Sequence, residues 1–180
     1  MYTIILVMLL ILDVDGVLTD GKKYYDNTGK AVLKTFCDRD FTAIKKIKAA
    51  GWSVVFLSGD RNINEDVAKN RNIDFYCNRD NGVMVDKAIF IEQFEQDYNC
   101  DRDNMVYVGD DIFDINILRN VGYAFCPENA AFEVKQVAKV INAKGGECCV
   151  DKLYETLVKL QLLEEPTLDK VLFLDRNERF

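Results

Sequence analysis

Ile4-Ile5-Leu6-Val7-Met8-Leu9-Leu10-Ile11-Leu12-Asp13-Val14-Asp15-Gly16-Val17-Leu18-Thr19-Asp20 is the stretch whose reading decides the fold. An unbroken apolar run over 4–12 fits a strand buried on both faces, as in a parallel sheet. It is shorter than the ~20 residues a membrane span needs. It also lacks the basic leader and small-residue cleavage site of a signal peptide. The run ends abruptly in two acids two positions apart, which on a straight strand share a face.

Outward from this run, apolar segments alternate with helical periodicity. Residues 22–36 read as a hairpin turning at Asp26-Asn27-Thr28-Gly29. A helix is expected from Phe41 to near Gly51, a buried strand at 53–57, a helix at 64–70 and a short strand at 73–76. Helical spacing follows over 85–98, then a buried strand at 105–108 and a helix at 112–119. Short strands at 124–126 and 140–141 flank an expected helix at 128–138, and a last amphipathic helix spans 150–163. The pattern predicts an α/β fold: a Rossmann-like three-layer sandwich on a mostly parallel sheet, with a β-hairpin flap after strand one. It reads as a single domain over 1–165 with a C-terminal tail over 166–180.

The chain of 180 residues is 49% hydrophobic and 29% charged, ordinary for a globular protein, and its formal net charge is -7. An acidic surface argues against a nucleic-acid partner, because such binding rests on cations neutralising phosphates. No membrane partner is expected either. Histidine is absent, and no two of the six cysteines form a Cys-x-x-Cys pair. Common zinc sites, Ser-His or Cys-His pairs and a histidine base are thereby excluded. Catalysis must run on carboxylates, lysine, hydroxyls or a metal. The scattered cysteines read as reduced thiols in a cytoplasmic protein, most simply as small buried hydrophobes.

Three expected strands end in polar residues, where open α/β sheets bind ligands. The first runs into Asp13 and Asp15, the second into Ser58-Gly59-Asp60, and the third into Gly109-Asp110-Asp111 with Asp114 one turn on. Lys87 opens the helix before that third strand. Singly, each has a plainer reading: Asp110-Asp111 and Ser58 as helix caps, Lys87 as a solvated helix residue. Jointly, the four carboxylates of Asp13, Asp15, Asp110 and Asp111 at one sheet edge are costly unless a hard divalent cation such as Mg2+ neutralises them.

These segments together resemble the four motifs of haloacid dehalogenase-superfamily phosphatases, in order: Asp13-Val14-Asp15-Gly16-Val17-Leu18-Thr19-Asp20-Gly21, Ser58-Gly59, Lys87, and Gly109-Asp110-Asp111 with Asp114. The Val-Leu-Thr-Asp-Gly continuation resembles the branch of 3-deoxy-D-manno-octulosonate 8-phosphate phosphatases and nonulosonate 9-phosphate phosphatases. Pro127-Glu128-Asn129-Ala130 and Lys144-Gly145-Gly146-Glu147 resemble later segments of that branch. The resemblance implies a Mg2+-dependent phosphatase of sugar-acid biosynthesis that forms an aspartyl-phosphate. Asp13 is then the nucleophile and Asp15 the general acid and base. The metal is held by Asp13, the backbone carbonyl of Asp15, and Asp110. Ser58, Gly59, Asp60, Arg61 and Lys87 bind substrate, with Ser58 and Lys87 on the transferring group. Asp111 and Asp114 stand behind the metal site and orient metal-bound water and Lys87.

The gaps at 21–51 and 59–86 leave no room for an inserted cap domain of even ~50 residues. The fold is therefore capless and the site open. In the resembling branch a homotetramer supplies the missing walls, and the hairpin around Tyr24, Tyr25 and Lys30 and the tail after Gly145 are the candidates for this role. Two departures leave the phosphorylated sugar acid itself undetermined. Asp60 stands where the octulosonate enzymes carry arginine, and Arg39-Asp40-Phe41-Thr42-Ala43 lacks both glycines of the branch's Arg-Asp-Gly-x-Gly. The alternatives are a capless phosphatase for another phosphosugar or nucleotide, and a phospho-receiver domain. A non-catalytic oligomerisation module like that fused to sialic acid cytidylyltransferases is a third.

Overall fold

In the computed structural model, residues 7–176 and Glu178 are described. The first strand, β1, covers Leu9–Leu12, and the expected residues 4–6 lie outside the described residues. A hairpin follows, β2 (Tyr24–Tyr25) and β3 (Ala31–Leu33), then α1 (Asp38–Ala49), β4 (Ser53–Ser58), α2 (Asn62–Asn70) and β5 (Asp74–Cys77). A second hairpin is made by β6 (Arg79–Asp80) and β7 (Val83–Met84). Beyond it come α3 (Phe90–Tyr98), β8 (Met105–Val108), α4 (Ile115–Leu118), β9 (Tyr123–Pro127), β10 (Lys139–Ile141), α5 (Cys149–Lys159) and α6 (Leu168–Asp175). Six strands form one sheet in the order β10-β9-β8-β1-β4-β5, all parallel.

Strand alternation explains the layers. Leu10, Leu12, Val54, Phe56, Val106 and Val108 point to one face, under α1, α2 and α5. Leu9, Ile11, Val55, Leu57, Met105 and Tyr107 point to the other, under α3 and α4. Both faces are covered, so β1 reads as a continuous apolar run. Each buried Leu or Ile contributes roughly 1.5–3 kcal/mol. Leu12 is in register with Phe56 and with Val108, so β1 and β8 end level while β4 runs two residues further to Ser58, and the three deliver their polar residues to one edge. No helix among the described residues is long and apolar enough to cross a membrane.

Two expectations need correction. The segment expected as a helix at 128–138 holds only a short 3-10 turn at Val134–Gln136. Its polar groups are used elsewhere: Ala131 N–H donates to the Asp110 carbonyl at 2.8 Å, and the Asn129 side-chain Oδ1 accepts from Gly145 N–H at 2.9 Å. The gap at 59–86 also holds the β6–β7 hairpin beyond the expected helix and strand. Asn81 (φ 46°) and Gly82 (φ 83°) are both left-handed, as a two-residue type I′ turn requires.

Asp40, in the stretch that lacks the two glycines, fastens α1 to α5. Its Oδ1 accepts from Val150 N–H (2.8 Å) and Asp151 N–H (3.0 Å) in the first turn of α5. Burial pushes its carboxyl up to about 6, against the pull of those two donors. A carboxyl whose pKa is raised on folding binds its proton more tightly in the folded state, so stability falls as pH rises from about 4 to about 6, by at most about 3 kcal/mol. Asp40→Asn is expected to flatten that part of the stability–pH curve in urea titrations. An unchanged slope would remove Asp40 as its source.

Candidate active site

The loop after β1 is wound tightly. The Val14 carbonyl accepts from Leu18 (3.0 Å) and Thr19 (3.1 Å), and the buried Thr19 Oγ1 accepts from the N–H of Gly16 and of Gly21. Gly16 has φ 88°, and a Cβ there would lie 2.0 Å from Asp110 Oδ2, so only glycine lets Asp110 stand against this loop. Gly145 and Gly146 close it from behind. Gly146 N–H donates to the Val17 carbonyl at 2.9 Å, and a Cβ on Gly145 would meet the Gly16 carbonyl at 1.8 Å.

Asp13 follows β1 and is buried. Its Oδ1 accepts from Val14 N–H at 2.7 Å, and its Oδ2 from Lys87 Nζ at 2.7 Å. The buried Lys87 also donates to Asp114 Oδ1 (2.7 Å) and to the Tyr107 hydroxyl (3.1 Å). All of Asp114's acceptor capacity is directed inward. Tyr107 O–H donates to its Oδ1 at 2.6 Å, and the N–H groups of Asp110 and Asp111 donate to its Oδ2 at 2.9 and 3.1 Å. Asp114 thus fixes both Lys87 and the backbone that carries Asp110.

Burial works against the Lys87 ammonium, but the Asp13 and Asp114 carboxylates overcome it and hold its pKa above the ordinary value. Burial pushes Asp13 up to about 7, against the pull of Lys87, with Asp114 adding to the rise. Burial, then Asp13, Asp114 and Asp111, push Asp110 up to about 8. One ammonium does not balance this cluster.

Carboxylate oxygens of Asp13, Asp110 and Asp114 lie within 4.8 Å of one another, a set that could hold a metal ion. The Asp114 oxygens already serve four donors, whereas no described residue donates to the Asp110 carboxylate. The Asp110 carboxylate is therefore free, and each Asp13 oxygen, with one donor apiece, keeps a second lone pair; hard oxygen donors with unbalanced negative charge fit a divalent cation.

Asp15 has a different environment. Lys34 Nζ sits 2.8 Å from its Oδ1, while Lys23 Nζ (3.3 Å) and Asn64 Nδ2 (3.2 Å) approach Oδ2. The same lysines hold Asp60, at 2.7 Å (Lys23) and 3.0 Å (Lys34). Lys23 and Lys34 flank the β2–β3 hairpin, whose base thus projects cations into the site. The buried Ser58 Oγ accepts from Asn64 Nδ2 at 3.1 Å and keeps its proton free to donate outward.

These side chains line a cleft of about 310 Å³ shared by Asp13, Asp15, Ser58, Lys87 and Asp110. Gly59, Asp60, Asp111 and Asp114 border it too. Asp111, however, turns its Oδ1 to Ile112 N–H (2.7 Å) as a helix cap, and Asp114 is the residue that holds Lys87. Arg61 stands apart, paired with Glu65 at 2.9 Å beside a neighbouring hollow. Sequence reasoning missed Lys23, Lys34, Asn64, Tyr107, Arg79 and Met84. The Asn81-Gly82 pair is a hairpin signal that could have found Arg79 and Met84. The others meet their partners only through the fold.

A sequence profile for haloacid dehalogenase-like hydrolases matches residues 81–147. The 3-deoxy-D-manno-octulosonate 8-phosphate phosphatase of Haemophilus influenzae is 28% identical over 162 residues, 84% of this chain and 83% of that protein. A probable YrbI family phosphatase from Pseudomonas syringae pv. phaseolica 1448a is 31% identical, with a TM-score of 0.77 and 86% of each chain covered. The cobalt-bound form of the Haemophilus influenzae phosphatase superposes with a TM-score of 0.78 at 28% identity, over 86% of this chain and 89% of that one.

Proposed function

The chain belongs to the haloacid dehalogenase-like hydrolases, in the branch of the 3-deoxy-D-manno-octulosonate 8-phosphate phosphatases, and from that premise we propose a phosphomonoesterase that hydrolyses a phosphorylated eight- or nine-carbon sugar acid through an aspartyl-phosphate on Asp13. The observation that carries the reading is the meeting of Asp13, Asp15, Ser58, Lys87 and Asp110 in one cleft, from the ends of β1, β4 and β8 and from the turn that opens α3.

Asp13 is held for attack. Its Oδ1 is committed to Val14 N–H and its Oδ2 to Lys87, which fixes the carboxylate's rotation. The attacking oxygen bonds to phosphorus as the ester P–O bond breaks, and Asp15 gives the departing alkoxide its proton. Asp15 then takes a proton from the water that attacks phosphorus and frees Asp13. Lys34 and Lys23 keep Asp15 in place while it performs both transfers. Ser58 donates to a phosphate oxygen, and Lys87 balances charge on the transferring group. Asp13, Asp110 and the Asp15 carbonyl would hold Mg2+, which when bound screens the repulsion between the attacking carboxylate and the phosphate dianion.

The same reading assigns catalysis to 1–165 and includes a homotetramer. The exposed Tyr24, Tyr25, Val32 and Leu33 of the flap offer an apolar surface through which a second copy would wall the open cleft. A fully active monomer at assay concentration would count against that arrangement. Phosphate release from a panel of sugar phosphates, including the eight- and nine-carbon keto acids, with and without Mg2+, tests the function. The acids are expected to be turned over fastest and only with the metal. Equal or faster turnover of nucleotides or neutral sugar phosphates would replace the substrate class.

A further inference from the structure

Among the described residues, the cations in and beside the cleft are matched to carboxylates with one exception. Lys23 and Lys34 are held by Asp15 and Asp60, and Lys87 by Asp13 and Asp114. Arg61, in the adjoining hollow, pairs with Glu65. Among the described residues no carboxylate pairs with Arg79. Its Nε donates to the Gly59 carbonyl at 3.0 Å and its Nη1 to the Gly82 carbonyl at 2.9 Å.

Those two carbonyls belong to different pieces of the fold. Gly59 follows Ser58 at the end of β4, and Gly82 is at the tip of the β6–β7 hairpin. The hairpin base is itself tied, since Val85 N–H donates to the Asn78 carbonyl (2.8 Å) and Asn78 Nδ2 to the Val85 carbonyl (2.9 Å). Arg79 is thus exposed yet anchored on two of its three guanidinium nitrogens. Its Nη2 has no acceptor among the described residues, and the side chain borders both the cleft and the adjoining hollow of about 470 Å³.

A planar guanidinium fixed in this way presents a preorganised donor edge and an uncompensated charge, which suits a carboxylate. The phosphoryl group is already provided for by Lys87 and Ser58. We infer that Arg79 binds the carboxylate of the sugar acid and makes the site select phosphorylated acids over neutral sugar phosphates. The inference rests on the phosphatase reading above and adds the residue that reads the second anionic group. Met84, which lies against Gly59 and lines the cleft, gives the same hairpin an apolar wall for the sugar.

Steady-state kinetics of the wild type, Arg79→Ala and Arg79→Lys would test this with three substrates: a 3-deoxy keto-acid sugar phosphate, a neutral hexose 6-phosphate and p-nitrophenyl phosphate. A charge-assisted pair corresponds to about a 10- to 100-fold loss of kcat/KM for the acid in Arg79→Ala, mostly in KM. The other two substrates should change by about twofold or less. Arg79→Lys, unable to span both carbonyls, should recover only part of the loss. Equal losses on all three substrates would make Arg79 a strut for the hairpin and overturn the inference, as would no loss at all. A wild type that prefers the acid, with the preference kept in Arg79→Ala, overturns the inference alone. A wild type that cleaves p-nitrophenyl phosphate but is indifferent to the carboxylate overturns the substrate reading beneath it as well.

Discussion

Replacing Asp13 by Asn is expected to lower phosphate release by about 10⁴-fold or more in a protein that still folds, because no other group in the cleft can take over the attack. Asp15 is held by two lysines and an amide, Asp114 is saturated by donors, and Asp110 is pressed against Gly16. The folding expectation balances two effects. An amide satisfies only one of Val14 N–H and Lys87 Nζ, whereas Asp13 accepts from both. Against that, the substitution removes a buried charge that burial already disfavours. A metal titration gives a readout independent of turnover. Mg2+ should stabilise the wild type by about 2.7 kcal/mol at a hundredfold excess over its Kd. The Asn variant, short of one anionic ligand, should gain clearly less. Turnover close to wild type in a purified, folded variant would remove Asp13 as nucleophile, whatever the metal titration gave.

The parts of this site legible in the sequence are those that local pattern controls. Asp13, Ser58 and Asp110 each end or follow an apolar run, so reading the run also places the residue at the sheet edge. Short-range chemistry was readable too. Asp26 closes the first hairpin by accepting from Thr28 N–H at 2.9 Å and Lys30 N–H at 3.0 Å, a turn signature contained in a few residues. Lys34 was not readable, because its partners Asn64 and Asp60 are far away in sequence and its own neighbours suggest an ordinary edge strand. Residues 128–138 were misread for a related reason. Their spacing suits a helix, but Ala131 and Asn129 have tertiary partners in the Asp110 and Gly145 loops, and those bonds outweigh helical propensity. Pro127-Glu128-Asn129-Ala130 and Lys144-Gly145-Gly146-Glu147, which looked like separate motifs, are one structure joined by the Asn129–Gly145 bond and seated on the loop that bears Asp13 and Asp15.

Lys87→Met should cost about 3–5 kcal/mol of stability in metal-free protein, besides ending catalysis, because it strips the counter-charge from a buried acidic cluster without changing its shape much. The ammonium lies between Asp13 and Asp114 at 2.7 Å from each, with Tyr107 as third acceptor, and all four residues are buried. Without it, Asp13 and Asp110, whose carboxyls burial already pushes up to about 7 and about 8, lose their nearest cation. Their folded-state pKa values must then rise further, so the variant's deficit should grow as pH is raised from about 5 to about 8 and shrink as the carboxyls regain protons. Mg2+ should recover part of the loss at the higher pH by supplying positive charge beside the same oxygens. Urea unfolding at the two pH values, with and without the metal, reads all three effects. A deficit under about 1 kcal/mol, or one indifferent to pH, would mean that the cluster does not depend on Lys87 for its charge balance. The coupling of stability to chemistry then has a simple origin: the ammonium that makes these acids tolerable in the interior is bonded to the carboxylate that attacks phosphorus, so the fold cannot keep one function and lose the other.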